Sequence, residues 1–252
     1  MDAIKELGFL TFELKNSNTE YHLTSCSRVA DSVTIPLEVD GIPVTKICEH
    51  AFEDCAKLAS VTFPDEVELQ LRAEGFEIGD YAFRRCASLE SVEVPYGVTS
   101  IGWGTFYDCT SLRTATLPTK WLYVSPYAFY GCTSLESVTD IDVISEGVFS
   151  HCKALSVFPV AEGTAVISED AFYHCYGLVD ITIPASVTTI EPLAFRSCYN
   201  LKRVTFAKPD GWHTYNKFTQ KSYELDLSDY EEDVLYLELC DFATNITAVA
   251  ID

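Results

Sequence analysis

The stretch Ile78-Gly79-Asp80-Tyr81-Ala82-Phe83-Arg84-Arg85-Cys86-Ala87-Ser88-Leu89-Glu90-Ser91-Val92-Glu93-Val94-Pro95-Tyr96-Gly97-Val98-Thr99-Ser100 decides how this chain folds, because Ile101 starts the same pattern again. Leu89, Val92 and Val94 lead into an alternation of apolar and polar residues, the period-two pattern of a half-buried strand. Pro95 ends that strand, since proline has no N–H to give to a ladder. Val98-Thr99-Ser100-Ile101 reads as a second short extended piece. Ala82-Phe83-Arg84-Arg85-Cys86 must turn the chain back, and a tight helical or 3₁₀ turn is expected there.

The unit occurs seven times. Phe52, Phe83, Phe106, Phe129, Phe149, Phe172 and Phe195 are separated by 31, 23, 23, 20, 23 and 23 residues. Three places after each stands a cysteine: Cys55, Cys86, Cys109, Cys132, Cys152, Cys175 and Cys198. Three further on is a leucine: Leu58, Leu89, Leu112, Leu135, Leu155, Leu178 and Leu201. Five before each Phe is Ile or Val: Ile47, Ile78, Ile101, Val124, Ile144, Ile167 and Ile190. One unit cannot bury its own Phe, Leu and Val, so the units must stack as coils about 4.7–4.9 Å apart, the spacing of paired strands. Two irregularities stand out. Eight extra residues fall within 64–77 and are expected to bulge out as an acidic loop. The unit after Phe129 is three residues short, between Val138 and Ile144. Neither should break the stack.

The pattern Ile-x-x-x-Ala-Phe-x-x-Cys-x-x-Leu-x-x-Val-x-Ile-Pro resembles the BspA-like leucine-rich repeats. The run from Ile190 through Ala194-Phe195-Arg196-Ser197-Cys198 to Phe206 is similar to a consensus copy, and Val33 to Ile47 resembles the family's opening half-unit. The resemblance implies an α/β leucine-rich-repeat right-handed solenoid, strand-rich with short 3₁₀ or helical turns. It also implies a non-catalytic protein-binding or adhesion module at the cell surface, recognising a protein or a carbohydrate.

A solenoid needs its terminal coils covered. Phe9, Phe12 and Leu14 alternate, Asn16-Ser17-Asn18 has turn chemistry, and Tyr21-His22-Leu23 follows, so an N-terminal hairpin cap over residues 1–28 is expected. About seven repeats fill 29–206. Residues 207–252 read as a C-terminal cap or tail: a turn at Lys208 to Trp212, then an acidic run in which Ser228 or Asp229 starts a short helix through Leu239.

With 38 acidic residues against 17 basic ones, the net charge of −21 argues against nucleic acid, whose binding depends on cations replacing condensed counterions. No run of about 18 apolar residues suggests membrane insertion. The opening Met1 to Leu7 lacks the pattern of a secretory signal. The compartment therefore stays open, with an intracellular scaffold for protein assembly as the alternative to surface binding. Oligomeric state is not legible.

Ten cysteines are read as free, buried thiols, because like side chains in stacked coils point the same way, a poor geometry for a disulfide dihedral. His151-Cys152 and His174-Cys175 repeat one coil apart, but adjacent residues on a tight turn diverge, so no metal site is expected. No phosphate loop, nucleophile elbow or metalloprotease motif is present, so neither an enzyme nor a cofactor is expected. The strand face carries mostly hydroxyls, among them Ser60, Thr62, Thr114 and Thr116, which strand packing alone explains. Aromatic residues gather elsewhere. Trp103, Tyr107, Tyr123, Tyr127 and Tyr130 lie off the core columns and form the candidate binding surface, while Trp121 takes a core position.

Overall fold

A computed structural model describes residues 4–63, 75–118, 122–139 and 141–208, and the backbone of Trp212–Asn216, Lys221–Leu225 and Ile246–Ala250. Most of the expected acidic bulge, Trp121 and the expected helix from Ser228 lie outside the described residues.

The chain winds as a strand-rich solenoid. Three strands open it: β1 (Ile4–Leu7), β2 (Leu10–Lys15) and β3 (Glu20–Cys26) form an antiparallel meander, with a 3₁₀ turn at Asn16–Asn18 between the last two. β3 then pairs in parallel with Ile42–Ile47, which begins one row of coil strands. That row continues through Phe76–Ile78, Val98–Ile101 and Tyr123–Val124. It resumes at Ile144, Val166–Ile167 and Thr189–Ile190. Ile246–Ala250 pairs antiparallel with Thr189–Ile190 and with Trp212–Asn216, which in turn pairs with Lys221–Leu225.

The second row of strands is interrupted at the two irregular units. Ser32–Thr34 pairs with Ser60–Thr62, and there the first block stops at the insertion. Ser91–Glu93, Thr114–Thr116 and Ser137–Val138 form the next block, which stops at the short unit. Val157–Pro159, Asp180–Ile183 and Arg203–Phe206 form the last.

The turns around the phenylalanines are unbroken throughout, and here the structure corrects the expected α/β class. Among the described residues the only helix is the 3₁₀ turn at Asn16–Asn18. Two residues before each Phe the backbone is left-handed, at His50, Tyr81, Gly104, Tyr127, Gly147, Asp170 and Leu193. Two residues after each Phe it is left-handed again, at Asp54, Arg85, Asp108, Gly131, His151, His174 and Ser197. A helix cannot pass through such residues, because they rotate alternate peptide groups out of the local hydrogen-bond pattern. The result is a chain of β-turns. Alternate N–H groups bond inside the coil, as Arg84 N to Tyr81 O and Cys86 N to Phe83 O do. The others cross to the next coil. Tyr81, Phe83 and Arg85 donate to the carbonyls of Trp103, Thr105 and Tyr107 at 2.8 Å each. The same three crossings recur at all six junctions from Phe52 to Phe195, including those with the insertion and the deletion. The array survives both irregularities because this ladder does not include them.

Inside, the seven Phe rings are fully buried and stack in a file, with successive centroids 4.6, 5.4, 5.3, 5.8, 5.6 and 5.3 Å apart. The cysteines stack behind them and form no disulfide among the described residues. Each thiol from Cys86 to Cys198 points at the Phe carbonyl of the preceding coil, at 3.0–3.2 Å. That carbonyl also accepts the N–H of its own coil's cysteine. Cysteine suits the column because it is a small buried hydrophobe that still carries a weak donor.

Phe129 is fully buried between Phe106 and Phe149, so Phe129→Ala should cost about 3–5 kcal/mol, read as a drop in the urea midpoint. Iodoacetamide followed by peptide mapping should label partly buried Cys26 and Cys48 in the native protein. Cys109, Cys132, Cys152 and Cys175, which are fully buried, should react only once urea has unfolded the chain.

Candidate functional site

The left-handed turns do more than join coils. The residue just before each Phe is buried, as Ala51, Ala82, Ala128, Ala171 and Ala194 are, while the positions two before and one or two after it lie on the outer corner of the solenoid. Aromatic and histidine side chains recur there, and they form a continuous ridge. His50 stacks on Tyr81 at 5.3 Å, and Tyr81 meets Trp103 at 4.9 Å. Trp103 meets Tyr127 at 4.9 Å, while Tyr107 stacks on Tyr130 at 4.4 Å. The contacts continue from Tyr130 to His151, from His151 to His174 at 4.7 Å, then through Tyr176 to Tyr199. Most of these rings are half-buried, each lying against the next with an edge or face left to solvent.

Two glycines shape this surface. A Cβ on Gly104 would come within 2.8 Å of the Tyr81 ring, and one on Gly147 within 2.4 Å of the Tyr127 ring. Each tyrosine therefore lies across a coil that has no side chain at the matching position. Glycine there also suits the left-handed backbone.

Four of the five anticipated residues come together: Trp103, Tyr107, Tyr127 and Tyr130. Tyr123 does not. It sits on the strand Tyr123–Val124, 57% exposed, and makes no ring contact with the others among the described residues. It is close in sequence but belongs to another face of the coil. His50, Tyr81, Tyr173, Tyr176 and Tyr199, absent from the anticipated set, complete the ridge; aligning the units by distance from Phe would have found Tyr81 with Tyr127, and Tyr173 with Tyr107 and Tyr130. His151 and His174 stack on the outside, while Cys152 and Cys175 are buried within, the divergence expected of adjacent turn residues.

The charges differ along the ridge. At its first part Arg84 lies over the rings of Tyr81 and Tyr107, 5.1 and 5.5 Å from their centroids, and bonds Glu53. Arg85 pairs with Asp54 and Glu53. Further along, the Tyr127 hydroxyl donates to Glu146. Burial, that hydrogen bond and the charges of Glu146, Asp170 and Glu169 push the Tyr127 phenol up. Burial, then Glu169 and Glu146, raise the Asp170 carboxyl. Asp170 Oδ1 is buried without a hydrogen-bond partner. Glu191 accepts the backbone N–H of Glu169 at 2.9 Å. Burial holds the imidazoles of His151 and His174 below their ordinary value.

On the strand face, a groove of about 490 Å³ is lined by Ser60, Thr62, Ser91, Glu93, Tyr96 and Thr116. Its hydroxyls and one carboxylate stand beside the apolar groups of Val61, Phe63, Val94, Pro95 and Leu117. Among the described residues no group of three or more His, Cys, Asp or Glu is placed to hold a metal, and no helix is long and apolar enough to cross a membrane.

Stacked coils carrying a file of buried Phe and an exposed corner define a repeat protein of the leucine-rich class. The BspA type leucine-rich repeat region matches in six copies over residues 31–72, 45–139, 76–202 and 139–227, and the chain belongs to that family. No curated protein matches it. Among solved structures it is similar to a leucine-rich repeat protein from Bacteroides ovatus at 20% identity and a TM-score of 0.50, over 81% of this chain and 71% of that one. It is also similar to a T. pallidum leucine-rich repeat protein, at 22% identity and a TM-score of 0.48, over 80% and 81% of the two chains. The pneumococcal vaccine antigen PcpA matches at 18% identity and a TM-score of 0.41, over 83% of this chain and 51% of that one.

Two titrations test the ridge's electrostatics. A raised carboxyl favours the folded state only while protonated, so that stability is present below the ordinary aspartate value and lost as pH rises through the raised one. Asp170→Asn should therefore raise the urea midpoint at pH 7, with the gain shrinking toward pH 3. The depressed imidazoles act in the opposite sense: stability is intact above the ordinary histidine value of about 6.5 and falls on acidification through the lowered one. His174→Gln should flatten the decline in melting temperature between about pH 7 and 5.

Proposed function

We propose that this chain is a non-catalytic binding module that takes its partner on the aromatic ridge, centred on Trp103, Tyr107, Tyr127 and Tyr130. The observation that carries the reading is the unbroken sequence of ring contacts along the outer corner. Half-exposed rings present apolar area with a polar tip, which suits a polypeptide or the faces of sugar rings. Held by neighbours on both sides, they lose little rotamer freedom on binding. Family membership supports an interaction or adhesion role, and display at the cell surface accords with it. Tyr123 is left out of this reading because it stands on another face.

A second reading has its own support. Nine described cysteines are unbridged, a state that a reducing interior maintains, and this favours an intracellular scaffold. Separating cell-surface from cytosolic material in the source organism decides between the two.

Trp103→Ala/Tyr127→Ala should weaken binding about tenfold or more against whichever member of a glycan array or immobilised matrix-protein panel the wild type recognises, with its thermal melt unchanged in cooperativity. Equal binding by the variant would move the site elsewhere, the strand-face groove being next.

A further inference from the structure

The repeat places equivalent positions side by side, so one part of the ridge can be read against another. Around Tyr81 the chain supplies its own cation. The Arg84 guanidinium lies over Tyr81 and Tyr107 and is bonded to Glu53, while Arg85 is paired with Asp54. Aromatic face and carboxylate together make a favourable place for a guanidinium or ammonium.

From Trp103 to Glu191 the same two kinds of group recur without an ion-paired cation between them. Trp103 and Tyr127 are in contact at 4.9 Å, and beyond them Glu146, Glu169, Asp170 and Glu191 follow at the matching corner of the next three coils. None of these four carboxylates forms an ion pair with a described residue. Glu146 is occupied by the Tyr127 hydroxyl and Glu191 by a backbone N–H, both neutral donors. Asp170 leaves a buried oxygen with no donor at all. Two basic residues stand near this row without pairing with it: Lys153 lies over Tyr176, and Arg196, placed after Phe195 as Arg84 is after Phe83, reaches Asp170 only as the weakest of the charges acting on it. A net charge of −21 adds a long-range field of the same sign.

We propose that this part of the ridge receives arginine or lysine side chains of a basic partner polypeptide, aligned along the solenoid axis, as the earlier coils receive Arg84. The proposal rests on the reading of the ridge as the binding face and adds the chemistry of the occupant. Four coil steps separate Trp103 from Glu191, roughly 19 Å at the strand spacing, the reach of about six extended residues. A short cationic segment therefore spans the row. Its first side chain lies against Trp103 and Tyr127, and later ones reach Glu146, Glu169, Asp170 and Glu191.

The probe is a fluorescein-labelled octapeptide of alternating Arg and Ser, followed by anisotropy at about 50 mM and 150 mM salt, where screening differs measurably. Two variants remove the same charge from different places. Glu146→Gln/Glu169→Gln/Asp170→Asn neutralises the row, and Glu38→Gln/Glu90→Gln/Glu162→Gln neutralises exposed carboxylates elsewhere. The row variant should lose about tenfold in affinity and the control less than about twofold. Equal losses in both would reduce the interaction to diffuse attraction and overturn the proposal, as would failure of the wild type to bind the peptide. A thermal melt verifies folding, and Glu146→Gln/Glu191→Gln is the reserve pair if the triple variant melts early. Trp103→Ala/Tyr127→Ala separates the two readings. If it loses a partner found on the panel while the row variant keeps that partner, the ridge stands and the cationic occupant falls. If neither variant loses it, the ridge reading falls as well.

Discussion

Left-handed backbone on both sides of each phenylalanine is the constraint from which the rest of this molecule follows. Two such residues per coil turn three N–H groups out of the local pattern and send them to the next coil. They fix the distance and rotation between coils, which brings each Phe ring over the last. Once the rings are stacked, the Phe carbonyl faces the following cysteine, and a thiol closes the contact. The strand rows add to this arrangement but do not set it. One row is broken into three blocks at the irregular units while the turn ladder passes both. Such backbone is uncommon for residues other than glycine, asparagine, aspartate and histidine. Tyr81, Arg85 and Leu193 adopt it here, which means the crossing hydrogen bonds and the buried Phe outweigh its cost.

This also explains what could and could not be read in advance. The columns of Phe, Cys, Leu and Ile were legible because burial dictates residue type, and the buried core is made of those columns. The strand alternation after each Leu was legible for the same reason. The turn was not. Its trace is scattered: Gly104, Gly131, Gly147, Asp54, Asp108 and Asp170 suit left-handed backbone, but Tyr81, Tyr127 and Leu193 do not, so Ala-Phe-x-x-Cys reads as a helical turn although no helix forms there. The ridge was half legible. Trp103, Tyr107, Tyr127 and Tyr130 were found because they crowd one stretch of sequence, and crowding also drew in Tyr123. Proximity along a coil does not mean a shared face: Tyr123 lies on a strand, four residues from Tyr127 on the corner. The carboxylates at Glu146, Glu169 and Asp170 have no distinguishing pattern in so acidic a chain. Only their position beside Tyr127 sets them apart.

Repetition lets one surface carry two electrostatic solutions. The coils share a backbone, so the side chains on the corner can vary without disturbing the core beneath them. In the second unit the variation supplies arginines that neutralise their neighbours. In the units after Trp103 it supplies carboxylates that, together with burial, raise the proton affinity of Tyr127 and Asp170. Charge left uncompensated on an ordered, partly dry surface is costly to the folded state, and proteins tend to hold such cost where something is recognised. The hydroxyl-lined strand face shows no comparable tension; its exposed Arg113 and Arg203 already have acidic partners on neighbouring coils.

The turn ladder has a sense of direction. Every crossing amide points toward the later coil and every crossing carbonyl toward the earlier one, without exception from Phe52 to Phe195. Within this ladder any unit offers acceptors on one side and donors on the other, and fits another unit in that order alone. Whole units can be duplicated or removed by recombination with the joint still matched, whereas an inverted copy would set like against like. Length becomes a quantity evolution can adjust in steps of one coil, while the corner of each new coil is free to acquire its own chemistry.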